Sequence, residues 1–190
     1  YLEKGGRLLL MGEPVVRQRP GTTSVFFDET RLDALLKDYG VSLEQAMIHD
    51  PPSAIRDFIF QARFDADAAQ HPITKPLAGL AIVFAEAVPV AVLPEPETSG
   101  KVHTQTLLES MPSAVAVKNL DAVLHGKAPE AAGDRKGPFP LAVAVTKDLG
   151  EKKEAGLVVT GDASIASDEL TTRFLGQMNF VLNSIAWLAE

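Results

Sequence analysis

The side chains best placed for chemistry in this sequence are Gly161-Asp162-Ala163-Ser164, which follow the apolar run Leu157 to Thr160. Open α/β sheets gather ligands at the carboxyl ends of their strands, and there Asp162 and Ser164 would be polar groups of a binding crevice. The same two residue types also begin helices well, and the favoured assignment is a glycine-permitted turn in which Asp162 or Ser164 caps the next helix. Ser167 and Asp168 offer a second cap. His71 stands in the turn His71-Pro72-Ile73-Thr74. An imidazole can move a proton near neutral pH, but it needs a partner before it works as a base, so a surface or turn-bonding role is favoured over catalysis. Asn179 and Asn183 lie one helical turn apart and could bond a neighbouring loop or strand end, with packing support favoured over ligand contact. Asp162, Ser164, His71 and Asn183 are the candidate ligand-binding residues. No catalytic residue and no metal ligand is assigned.

Several chemistries lack their residues. ATP hydrolysis needs a glycine-rich phosphate cradle with a lysine and a hydroxyl, and no G-x-x-x-x-G-K-[ST] occurs; Gly126-Lys127 lacks both the upstream glycine and the following hydroxyl residue. Neither the dinucleotide pattern G-x-G-x-x-G nor the G-x-S-x-G nucleophile elbow is present. Cysteine is absent, which removes disulfides, thiolate metal sites and a thiol nucleophile. His49, His71, His103 and His125 are far apart with no carboxylate at ligand spacing, so neither a metal nor any other cofactor is expected.

The 190 residues, 46% hydrophobic, suffice for one substantial core, and residues 1–190 are read as a single domain. Against 18 Lys and Arg stand 25 Asp and Glu, so the long-range field repels phosphate backbones and nucleic acid is not an expected partner. The longest apolar stretch, Ala78 to Leu93, is broken by Glu86 and Pro89 and falls short of a membrane span, so the segment is expected to be soluble.

The elements that must position these residues follow from periodicity. Tyr1 to Gly6 reads as the end of a helix closed by glycine, and Arg7 to Met11 as a buried strand. Leu32, Leu35, Leu36 and Tyr39 fall on one helical face, with Asp28 or Thr30 as cap and Gly40 as terminator, and Ala46 to Ile48 completes a strand-helix-strand unit compatible with a right-handed crossover. Pro94 to Gly100 reads as a break and Gly126 to Gly137 as an exposed loop. Leu141 to Val145 and Leu157 to Thr160, on either side of a charged turn, read as an antiparallel hairpin. Phe174, Met178, Val181, Leu182, Ile185 and Ala189 mark the packing face of a long C-terminal helix. Alternating apolar runs and helices point to an α/β fold, a mostly parallel sheet with helices on both faces.

A series of phrases carries a family resemblance. Tyr1-Leu2-Glu3-Lys4-Gly5-Gly6-Arg7-Leu8-Leu9-Leu10, Leu32-Asp33-Ala34-Leu35-Leu36-Lys37-Asp38-Tyr39-Gly40-Val41, Gly137-Pro138-Phe139-Pro140-Leu141, Val158-Val159-Thr160-Gly161-Asp162-Ala163 and Asn183-Ser184-Ile185-Ala186-Trp187-Leu188 resemble, in order and from end to end, the auxiliary proteins of ABC-type transport systems of the gliding-motility kind. The resemblance implies a flavodoxin-like or class I glutamine amidotransferase-like fold with irregular insertions, akin to a module of intraflagellar transport proteins. It implies an extracytoplasmic, non-catalytic domain of a membrane-anchored parent, working with an ABC permease and a separate ATPase subunit and mediating interaction or coupling. The expected parent has more of this domain before Tyr1 and a membrane helix after Glu190, and the segment is expected to form a homo-oligomer. A solute- or carbohydrate-binding module near Gly161-Asp162 is the alternative. The family supplies no catalytic residue to carry over.

Overall fold

The fold is that of a computed structural model describing residues 1–28, 31–56, 58–94, 102–128 and 133–190. Thr30, residues 95–100 of the proline-rich break and residues 129–132 of the following loop lie outside the described residues. A 3-10 turn over Leu2–Lys4 ends at Gly5, whose φ of 85° only glycine adopts without cost, and the chain enters β1 (Arg7–Met11). A small hairpin, β2 (Val16–Gln18) and β3 (Val25–Phe27), precedes α1 (Asp33–Lys37). Next come β4 (Val41–Leu43), β5 (Met47–His49), β6 (Ala54–Arg56) and β7 (Ile59–Phe64). Then follow β8 (Ile82–Ala85), β9 (Val90–Val92), β10 (Val102–Glu109), β11 (Val115–Val117) and α2 (Leu120–Leu124). The chain closes with β12 (Gly133–Lys136), β13 (Pro140–Gly150), β14 (Lys153–Thr160), α3 (Asp168–Arg173) and α4 (Leu175–Ala189). Among the described residues no helix is long and apolar enough to cross a membrane.

The main sheet runs β1-β14-β13-β10-β7-β6, with β8 also paired to β7. This corrects the expected mostly parallel, flavodoxin-like or amidotransferase-like sheet. Among the described residues only the β1–β14 pairing is parallel, with Leu8 opposite Leu157 and Leu10 opposite Val159. The pairings β13–β14, β10–β13, β7–β10 and β7–β8 are all antiparallel. The expected crossover unit is absent as well, because β5 leaves for a separate three-stranded sheet, β12-β11-β5, in which Gly133 to Lys136 form a strand and not a loop.

Two features of the chain explain the difference. Glu151 and Lys152 both take positive φ, 51° and 63°, the geometry of a tight two-residue hairpin, which forces β13 and β14 to run in opposite directions. The apolar runs are continuous because the sheet is covered on both faces. On one face Leu9, Met11, Ala144 and Val158 pack with Ile73, Leu77, Phe180 and Leu188. On the other, Leu8, Leu10, Val143, Val145, Leu157 and Val159 pack with Leu36, Tyr39, Val41 and Val90. A continuous apolar strand reports two covered faces and is silent on strand direction.

The face of α4 is also rotated from the periodicity. Its buried residues are Gly176, Gln177, Phe180, Ser184 and Leu188. Leu175, Met178, Leu182 and Ile185 are instead 71%, 44%, 53% and 50% exposed. A side chain at Gly176 would place its Cβ 2.1 Å from the Ala81 carbonyl oxygen, so the helix approaches β8 at glycine distance. The Gln177 amide donates to the Val83 carbonyl at 2.8 Å, and the Ser184 hydroxyl to the Phe180 carbonyl at 2.8 Å. Small size and these bonds allow polar residues to take the inner positions.

Candidate functional site

At the carboxyl end of β14, Asp162 is only 1% exposed. One carboxylate oxygen accepts from the Ala85 backbone N–H at 2.7 Å, at the end of β8. The other accepts from the Ser164 N–H at 2.7 Å and the Ser164 hydroxyl at 2.5 Å. Burial pushes the Asp162 carboxyl up from 3.8 to about 6; the Ala85 and Ser164 donors pull the other way, and Glu13 adds to the rise. No crevice opens here. Gly161 donates to Leu141 and accepts from Val88, and a Cβ at Gly161 would lie 1.9 Å from the Val88 carbonyl oxygen. The segment joining β8 to β9 therefore fills the strand end, and Asp162 and Ser164 form a clamp between β8 and the short turn Ser164–Ala166. Ser167 caps α3, accepting from the Leu170 N–H.

His71 lies elsewhere, in the loop between β7 and β8. Its Nδ1 accepts from the Ile73 N–H at 3.2 Å, which leaves the proton of the neutral ring on Nε2. Burial lowers the His71 pKa, so the ring is neutral at pH 7. The loop is tied internally by the Thr74 hydroxyl donating to the Ala68 carbonyl. From α4, the Asn183 amide donates to the Ile73 carbonyl at 3.0 Å, and the Trp187 ring meets His71 at 5.3 Å between centroids. His103, Gln105 and Thr106 of β10, with Thr146 of β13, form the opposite wall of a groove of about 430 Å³ whose remaining rim includes Asp65 and Asp67. Gln105 donates to the Asp67 carbonyl at 3.0 Å, joining the two walls.

Of the four residues singled out from sequence, the structure brings His71 and Asn183 together and leaves Asp162 and Ser164 apart from them. Trp187 and His103 complete the groove and were not legible as site residues. The available signal was the four-residue spacing of Asn183 and Trp187, which puts amide and indole on one flank of α4. The groove offers an aromatic face, hydroxyls, an amide and two carboxylates, but the acceptor nitrogen of His71 is already engaged, so the ring has no free base to offer. Among the described residues no group of three or more His, Asp or Glu could hold a metal ion. A larger open depression, about 900 Å³, lies between the β2–β3 hairpin and α2 and contains none of the four residues.

The sequence matches, over residues 1–184, the family described as an ABC-type uncharacterized transport system. This chain belongs to that family. It is an auxiliary component of an ABC-type transport system. The ABC auxiliary chain is also similar in structure to the mmIFT52 N-terminal domain, with a TM-score of 0.60 and 15% identity over 100% of this chain and 68% of that one. At that identity the likeness is one of fold alone. No curated protein matches the auxiliary chain.

Proposed function

We propose that this chain is a non-catalytic auxiliary domain of a gliding-motility-type ABC transport system, lying outside the cytoplasmic membrane in a membrane-anchored parent. It makes protein contacts with an ABC permease and a separate ATPase subunit, and couples them. The family match supports the transport assignment. The observation that supports the non-catalytic part is the state of Asp162: both of its carboxylate oxygens are consumed by the domain's own Ala85 and Ser164. The test is affinity purification of the tagged parent protein from native membranes. Recovery of a permease and an ATPase is expected; their consistent absence contradicts the proposal.

A second function, binding of a solute such as a carbohydrate, is favoured by one observation. The groove around His71 and Trp187 falls in the size range of small-molecule sites and offers an aromatic platform ringed by hydrogen-bonding groups. It replaces the Gly161-Asp162 crevice, which is filled. Titration with a glycan panel, followed by Trp187 fluorescence, distinguishes the two: saturable binding lost in Trp187→Ala supports the solute site, and no response across the panel removes it.

A further inference from the structure

We infer that the groove between the His71 loop and β10 takes a small organic ammonium ligand that also carries hydroxyls, an amino sugar or amino alcohol; this rests on the solute-binding function of that groove and names its ligand class. One wall is aromatic, formed by Trp187 of α4 with the His71 ring tilted against it. The rim carries Asp65 and Asp67, and among the described residues neither Lys nor Arg lines the groove. Indole offers a cation the most favourable of the aromatic faces, and the carboxylates supply the counter-charge.

The two carboxylates have little to do inside the domain. One oxygen of Asp65 accepts from the Asp67 N–H at 2.9 Å, which closes a local turn. Among the described residues its other oxygen and both oxygens of Asp67 meet no donor, and neither residue forms an ion pair. Arg63, two positions before Asp65, is held by Glu109 at 2.7 Å. Burial keeps His71 neutral at pH 7, so it does not cancel the negative charge. The net charge of −7 adds a field that draws cations toward such a groove.

A bare divalent ion is not the occupant these groups suit. It takes about six oxygens, and among the described residues no third acidic or imidazole group joins the two carboxylates. The remaining groups suit hydroxyls instead. His71 accepts through Nδ1 within its own turn and therefore turns an Nε2–H donor to a ligand. Gln105 spends its amide nitrogen on the Asp67 carbonyl and keeps its amide oxygen as an acceptor, beside the hydroxyls of Thr106 and Thr146. At about 430 Å³ the groove lies in the lower part of the range of small-molecule sites.

The chain has one tryptophan, so its fluorescence reports this groove. The full chain is titrated at pH 7 with glucosamine, choline and N-acetylglucosamine. Glucosamine and choline should saturate the signal, and glucosamine should bind at least about tenfold more tightly than N-acetylglucosamine, which keeps the sugar ring and lacks the charge. Asp65→Asn retains the side-chain oxygen that accepts from Asp67; combined with Asp67→Asn it should weaken glucosamine at least about tenfold with an unchanged melting midpoint. Equal affinity for the charged and acetylated sugars, or undiminished glucosamine binding in the double variant, overturns the ammonium inference and leaves the solute groove standing. No response to either ammonium compound also overturns it, and the glycan panel then decides the groove by itself. Tighter binding of Nα-acetyl-lysine methylamide, an ammonium without hydroxyls, overturns it as well, because the groove would then suit a protein side chain. None of these outcomes touches the auxiliary role, which fails only if the transport subunits do not co-purify.

Discussion

The two flanks of α4 are inverted relative to an ordinary surface helix. The inner flank holds Gly176, Gln177 and Ser184 beside Phe180 and Leu188, while the outer one carries Leu175, Met178, Leu182 and Ile185. An amphipathic helix usually buries its apolar stripe. Here the inner flank is chosen for close approach to β8, where only glycine fits beside Ala81 and where Gln177 can reach the Val83 carbonyl. Among the described residues the outer stripe is exposed and takes no part in the core.

The sharpest way to break this comparison is truncation on each flank. Phe180→Ala should cost about 3–5 kcal/mol in chemical denaturation, the range for a fully buried aromatic side chain, while Leu182→Ala in the dilute monomer should stay within about 0.5 kcal/mol of wild type. Comparable losses at the two positions would mean that the stripe, and not the polar flank, faces the core.

Asp162 gives the next effect, and its sign is set by burial. The folded carboxyl keeps its proton up to about pH 6, while an unfolded one releases it near 3.8. This group's contribution to stability is therefore complete below about pH 4 and is lost as pH rises through 6, by up to about 3 kcal/mol. Asp162→Ala strands the Ala85 and Ser164 donors and should cost about 1–3 kcal/mol near pH 5. The penalty should shrink toward pH 7. Urea midpoints measured at both pH values check it, and a penalty that grows with pH would show that the donors outweigh desolvation. Smaller again, Asn183→Ala should cost about 1 kcal/mol and change Trp187 fluorescence, since it frees the Ile73 carbonyl that ties the His71 loop to α4. An unaltered spectrum would mean that Asn183 does not position that loop.

Local signals were legible and their assembly was not. The Gly5 and Gly40 terminators, the turn at His71 and the 141–160 hairpin could be read because each depends on neighbours in sequence: Gly40 takes φ 70° where α1 ends, and the His71 ring bonds its own turn. Sheet direction could not be read from apolar runs, since Val143 and Val158 are buried whichever way their strands point. The hairpin itself carried the correction, because one antiparallel pair at the centre of the sheet is inconsistent with a parallel fold. The site failed for a similar reason. Asp162 was legible as a turn residue, but that Val88 would fill the strand end is a long-range fact, and so is the meeting of His71, Trp187 and His103. The α4 face was misassigned because hydrophobic periodicity marks an apolar flank without saying whether its own domain or a second surface will cover it.

That inverted helix can be tested in a chain free of native thiols. Single cysteines placed at positions 180, 182, 184 and 185 of the dilute monomer, reacted with a soluble maleimide, report which flank meets water. The structure predicts that Leu182→Cys and Ile185→Cys react at nearly the rate of the denatured chain while Phe180→Cys and Ser184→Cys are strongly protected. Fast reaction at 180 and 184 with protection at 182 and 185 would contradict it.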